Sequence, residues 1–245
     1  MLLEGKNAVI YGAGGAIGGA VARAFAREGA SLHLVGRRVE PLDLLATEIG
    51  KRGGAATIAT LDALDEHAVD SHAAGVVASA GSLDISLNVI SHGEVFGTPL
   101  AEMALADYER PIRTATRSTF LTARAAARHM IPRRSGVILT FGGYGQPLHD
   151  FYLGGFQVGL SAVDALRRQL AAELGPYGIR VVTLQSVGIP ESHASNGDGD
   201  GTPPRLLERA PMLADVGNVA AFAASDHAAP ITATAINITC GAEVD

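Results

Sequence analysis

At 245 residues, with 47% hydrophobic and 18% charged side chains, the chain can bury a sizeable core and reads as one globular domain over 1–245. A net charge of −6 offers no basic face to nucleic acid or to anionic lipid, and a single cysteine, Cys240, excludes a disulfide within the chain. The histidines lack metal-ligand spacing, no apolar run reaches membrane-spanning length, and Met1 to Lys6 leaves no room for a signal peptide, so no metal and a cytoplasmic location are expected.

The first strand, Asn7–Gly12, runs into Tyr11-Gly12-Ala13-Gly14-Gly15-Ala16-Ile17-Gly18-Gly19 and a helix over Ala16–Glu28. Glycines there permit a tight turn and close backbone approach, while the helix N-terminus offers free N–H groups to a pyrophosphate, which makes Gly12, Gly14, Gly15, Ile17 and Gly18 candidate nucleotide-binding residues. A second strand, Ser31–Gly36, ends in Arg37-Arg38 where an acid would hold the ribose hydroxyls of NAD. Two guanidiniums suit the 2′-phosphate of NADP(H) instead; the other reading is a solvated pair opening the next helix, Val39–Arg52. Past the third strand, Ala55–Thr60, Asp62 either meets the adenine or caps the helix Asp65–Ser79.

The fourth strand, Asp84–Ile90, is followed by His92, and a long helix spans Ala101–His129. Gly136–Gly142 is the fifth strand, with Tyr144, His149 and Tyr152 before a helix over Leu153–Gly175. In that helix Leu160 and Ala162-Val163 read as core-facing, while Arg167-Arg168 read as meeting solvent or a neighbour. After the sixth strand, Ile179–Ser186, residues 190–211 have no periodicity and little apolar content, so they form either a mobile substrate lid or a plain surface insertion. A helix over Asp215–Ser225 and a seventh strand, Ala235–Ile238, complete the chain. Strands alternating with helices predict an α/β fold, doubly wound, with a seven-stranded, mainly parallel sheet and helices on both faces.

These motifs, in this order, resemble the short-chain dehydrogenase/reductase family over nearly the whole length. Gly12-x-x-x-Ala16-Ile17-Gly18 is similar to the family's nucleotide loop. Asp62 matches its acid after the third strand, Asn88 survives from its Asn-Asn-Ala-Gly strand end, and Glu173 to Val181 is similar to its helix-to-strand passage. The resemblance implies a Rossmann-type fold, a bound nicotinamide nucleotide, an oxidoreductase acting on a small carbonyl or alcohol, and a homo-oligomer, tetramer or dimer, paired through the two long helices. It also implies a catalytic tetrad of Asn, Ser, Tyr and Lys, and those positions fall on Ala115, Gly143, Phe156 and Leu160. Lys6 and Lys51 are the only lysines, so no shift of the alignment restores the set.

Phenylalanine carries no exchangeable proton and leucine cannot stabilise a phenolate, so another acid or base is required. His92 titrates in the right range, and Tyr152 would share a face with Phe156 if the helix began early enough. Each also has a structural reading, Tyr152 packed in the core with its hydroxyl at the rim and His92 bonding a turn. Gln185 and Glu191 are further pocket candidates. Three readings follow: an NADP(H)-dependent oxidoreductase with relocated acid/base groups, a non-redox lyase, isomerase or cyclase, and an inactive nucleotide-binding protein.

Overall fold

The computed structural model describes residues 1–143, 152–187, 189–192 and 205–244. Seven strands form one sheet: β1 (Asn7–Tyr11), β2 (Ser31–Gly36), β3 (Ala55–Thr60), β4 (Ile85–Asn88), β5 (Gly136–Gly142), β6 (Ile179–Gln185) and β7 (Thr234–Asn237). Their spatial order is β3-β2-β1-β4-β5-β6-β7, and every pairing is parallel. The chain reverses direction across the sheet between β1 and β4, which opens a crevice at the carboxyl ends of those strands. The expected doubly wound α/β architecture is what the chain adopts.

Alternation along β1 shows how the strands carry two cores. Ala8 and Ile10 pack with α1 (Ala16–Arg27), α2 (Val39–Lys51) and α6 (Leu213–Ala224), around Phe25, Leu42 and Val216. Val9 and Tyr11 face α3 (Glu66–Ala80), α4 (Leu105–Arg133) and α5 (Gly155–Leu174), around Val69, Leu121 and Ala171. A period-two pattern apolar on both faces is what a parallel sheet covered by helices requires.

Several boundaries differ from those read in the sequence. Asp65 stands just outside α3 and caps it, its carboxylate accepting from the Ala68 N–H at 3.0 Å. α4 starts at Leu105, later than Ala101, and continues through Pro132 to Arg133, where Arg134 at φ 53° ends it. α5 begins only at Gly155, because Gly154 takes φ 54° and ψ −133°, a conformation incompatible with a helical turn. Its buried stripe runs through Leu160, Val163, Arg167, Ala171 and Leu174, so Arg167 lies inside, paired with Asp164, and not in solvent as its charge suggested. Of the expected lid, Pro190–Ser192 form a single 3-10 turn and the segment 193–204 lies outside the described residues.

Candidate active site

Gly12 carries φ +90°, and a Cβ there would stand 2.7 Å from the Val89 carbonyl oxygen. A Cβ on Gly18 would stand 2.3 Å from the Gly12 carbonyl oxygen. Both glycines are therefore demanded by the backbone, which folds back against the end of β4 and the start of α1. Gly14 has a different neighbour, since a Cβ on it would meet the Pro41 ring of α2 at 3.1 Å. Gly15, the N-cap of α1, has no side chain to cap the helix, so the first-turn N–H groups of Ala16, Ile17 and Gly18 remain for a ligand. This is a cradle of the shape a pyrophosphate needs.

Arg37 and Arg38 follow β2 and are exposed, with no hydrogen bond or ion pair among the described residues. Asp62 is exposed and accepts from the Leu64 N–H at 3.0 Å, which makes a local turn; the capping role belongs to Asp65. Asn88 is only 6% exposed and its side chain is spent internally. Its amide donates to Ser118 Oγ at 3.2 Å, with Thr119 and Thr122 hydroxyls at 3.5 Å, and its oxygen accepts from the Ile90 N–H at 3.0 Å. Asn88, which the sequence also offered as a cofactor-binding residue, ties β4 to α4 through these bonds.

At the carboxyl end of β5, Gly143 faces the start of α5. A Cβ on Gly143 would meet Leu160 Cδ1 at 3.4 Å and Phe156 Cε1 at 3.9 Å, so these three positions converge. Ala115 is fully buried on α4, and its Cβ lies 3.4 Å from where a Cβ on Gly159 would be. A Cβ on Gly155 would fall 1.9 Å from the Tyr108 carbonyl oxygen, so the two glycines let α5 close directly onto α4.

His92 reaches this group from the segment after β4, its ring 5.9 Å from that of Phe156. Its Nδ1 is buried and has no hydrogen-bond partner among the described residues. Burial pushes the imidazole below its ordinary pKa, against a smaller opposing pull from Glu94, so the ring is neutral near pH 7. Tyr152 is placed differently from expectation. It lies before α5 with φ 46° and 43% of its surface exposed, so no helical turn puts it on the Phe156 face. Glu191 is engaged elsewhere, accepting from the Leu213 N–H at 2.6 Å at the head of α6, while Gln185 ends β6 half-buried. Tyr144 and His149 lie outside the described residues.

Sequence reasoning missed Phe96, whose ring meets that of Phe156 edge-on at 5.6 Å, and Met103, which packs where a side chain on Gly154 would go. Both lie in an irregular stretch before α4, where no periodicity marks a contact.

A family profile described as Enoyl-(Acyl carrier protein) reductase matches residues 12–243. The chain belongs to the short-chain dehydrogenase/reductase family. Among its relatives are gluconate 5-dehydrogenase of Gluconobacter oxydans, 30% identical over 73% of this chain and 69% of that protein, and oxidoreductase UcpA of Salmonella typhimurium, 31% identical over 95% and 92%. A short-chain type dehydrogenase/reductase from Mycobacterium marinum superposes with a TM-score of 0.88, at 27% identity, covering 99% of this chain and 97% of that one. Family membership supports oxidoreductase chemistry with a nicotinamide nucleotide, and it gives the non-redox and inactive readings no support. No helix among the described residues is long and apolar enough to cross a membrane.

Proposed function

We propose that this family member is an NADP(H)-dependent oxidoreductase of a small carbonyl or alcohol substrate in which His92 takes the acid/base part usually given to tyrosine. The observation that carries the reading is the buried Nδ1 of His92, without a partner among the described residues, on a ring 5.9 Å from that of Phe156, which borders Gly143 together with Leu160. On this reading Ala115, Gly143, Phe156 and Leu160 occupy the four tetrad positions, and none of them can move a proton.

The glycine cradle fits a pyrophosphate, with Gly12, Gly14, Gly15, Ile17 and Gly18 against it and Asp62 toward the adenine side. Arg37 and Arg38, exposed and unpaired, fit a 2′-phosphate, which is why NADP(H) is preferred to NAD(H). When bound, the nicotinamide supplies the hydride donor or acceptor. The chain's own residues do the rest. Neutral His92 takes the proton of a substrate hydroxyl at Nδ1 in oxidation, and in the reverse direction the imidazolium, protonated from solvent, gives that proton to the carbonyl oxygen, while Phe156 and Leu160 exclude water from the reacting oxygen. Tyr152, more exposed and outside α5, is a weaker candidate for that proton transfer.

The exposed apolar side chains Phe120 on α4 and Val158 on α5 support a homo-oligomer, dimer or tetramer, built through these helices. The test of function is calorimetric titration with NADPH and NADH, repeated on Arg37→Ala, followed by turnover assays of His92→Gln and Tyr152→Phe. NADPH binding weakened by the first substitution, and activity lost in His92→Gln but kept in Tyr152→Phe, is expected. No heat with either nucleotide from folded protein overturns the oxidoreductase reading.

A further inference from the structure

We propose that α3 is an acid-released element of this fold: protonation of two histidines at its inner face, His72 on α3 and His33 on β2, lifts α3 off the sheet while the rest of the domain stays folded. The observation that carries this is a group of polar atoms in what is otherwise the apolar core between α3 and the sheet. His33 alternates with Val35 along β2, so it points to the same face as Val9 and Tyr11 of the neighbouring β1. It is 8% exposed. Its Nδ1 shares a hydrogen bond with the Thr57 hydroxyl of β3 at 2.9 Å, and its Nε2 is buried without a partner among the described residues. His72 brings its ring edge-on to Tyr11 at 6.2 Å, and its Nδ1 is buried and without a described partner in the same way.

The groups around the pair do not welcome a cation. On α3 and α4, Asp70 accepts from Arg124 at 3.1 Å and from Arg128 at 2.8 Å, and Glu66 accepts from Arg124 at 2.8 Å, so both carboxylates are already matched by guanidiniums. The pull of Asp70 is felt on β1, where burial first and Asp70 second push the Tyr11 phenol up and keep it neutral. Thr57 on β3 carries no charge. Burial pushes both imidazoles down, and the charge that bears on His72 is that of His33, which repels a proton. A proton on either ring would therefore add an N–H and a full charge where no described acceptor meets them, and a proton on both would add their mutual repulsion.

Of the elements that enclose the pair, α3 gives way before the strands do. β1 and β2 are paired with each other and with β4 and β3 on either side. α3 is anchored by three modest apolar side chains, Val69, Ala73 and Val76, whereas α1 on the other face of the sheet buries Phe25 together with Val21, Ala22 and Ala24. Lifting α3 brings both rings to water and leaves the sheet and its other face intact, which is the smaller of the openings that can accept the protons.

The test is hydrogen–deuterium exchange by mass spectrometry on the intact protein at about pH 7.5 and about pH 4.5, with exchange times scaled for the intrinsic rate and with peptides of α3 and α1 followed in the same sample. The expected result is that protection of α3 falls about tenfold more than protection of α1 on acidification, and that His72→Leu and His33→Leu each remove most of that extra fall. An equal fall in α3 and α1, no fall in α3, or an extra fall that survives both substitutions overturns the proposal. Should a variant lose its fold, the comparison of α3 with α1 in the unaltered protein still decides, because release of α3 alone and loss of the whole fold give different patterns.

Discussion

A methyl group on Gly18 would lie 2.3 Å from the Gly12 carbonyl oxygen and 2.8 Å from Ala13 Cα, and backbone on both sides leaves it nowhere to go. Gly18→Ala is expected to cost about 2 kcal/mol in urea denaturation and to weaken NADPH at least tenfold, because the loop must reshape to admit it. Unchanged affinity would mean that this loop holds no nucleotide. His92 gives a second residue-scale prediction. Its pKa lies below 6.5 because the ring is desolvated, and alcohol oxidation uses the neutral ring as base. The acid limb of the oxidation rate should therefore lie at lower pH than an ordinary imidazole would place it, and His92→Gln should abolish that limb along with most of the activity. Leu160, which the proposed alignment puts at the family's lysine position, would not accept a lysine readily. It is 6% exposed, and a lysine there would bury a charge beside Phe156. Leu160→Lys is expected to destabilise by about 2–4 kcal/mol in the same denaturation assay.

The contact between α4 and α5 depends on two glycines one turn apart. Gly155→Ala would drive a methyl group to 1.9 Å from the Tyr108 carbonyl oxygen, so the helices must part, at a cost of about 3 kcal/mol. Gly175, at the end of α5, has φ −52° and open space around its Cβ position. Gly175→Ala should be neutral or stabilising by up to about 1 kcal/mol, since alanine restricts the unfolded chain. Thermal melts of the two variants side by side separate the effects. On α3 lies a titratable group of another kind. His72, edge-on to Tyr11 at 6.2 Å, is pushed down to about 4 by burial first and by His33 second. His33 Nε2 and His72 Nδ1 are both buried without partners among the described residues, so neither site welcomes a proton. The unfolded chain binds that proton near pH 6.5 while the folded chain refuses it down to about 4, so stability present above 6.5 is lost as pH falls between them. The loss should reach about 2 kcal/mol, and His72→Leu should flatten that part of the pH profile of the melting temperature.

For the molecule as a whole, ligand linkage makes nucleotide preference measurable without a substrate. NADPH at one hundred times its dissociation constant should add about 2.7 kcal/mol of stability, which raises the melting temperature by roughly 5–10 °C in a chain of this size. NADH at the same concentration should do much less, and Arg37→Ala should erase the difference between them. Light scattering tests the assembly: a dimer or tetramer is expected, and Phe120→Glu on the exposed face of α4 should shift it toward monomer.

How much of this was legible depended on how local each signal was. The sheet and its helices were readable because two-residue and helical periodicities, and the glycine string between β1 and α1, are written in consecutive residues. Arg167 was read as meeting solvent or a neighbour, and only the structure put it in the buried stripe of α5. Whether Tyr152 shares the Phe156 face was not legible, because the helix start depends on whether Gly154 takes a left-handed conformation, and a glycine tolerates either choice. Asn88 was readable as a family landmark, while its engagement with Ser118, Thr119 and Thr122 required α4 to be laid across β4. The sequence by itself determined the doubly wound fold and the family. Only the tertiary structure decided that His92, Phe96 and Phe156 share one surface, because Phe156 lies on α5, far along the chain from the segment that carries the other two, and meets them only when β4, α4 and α5 have packed.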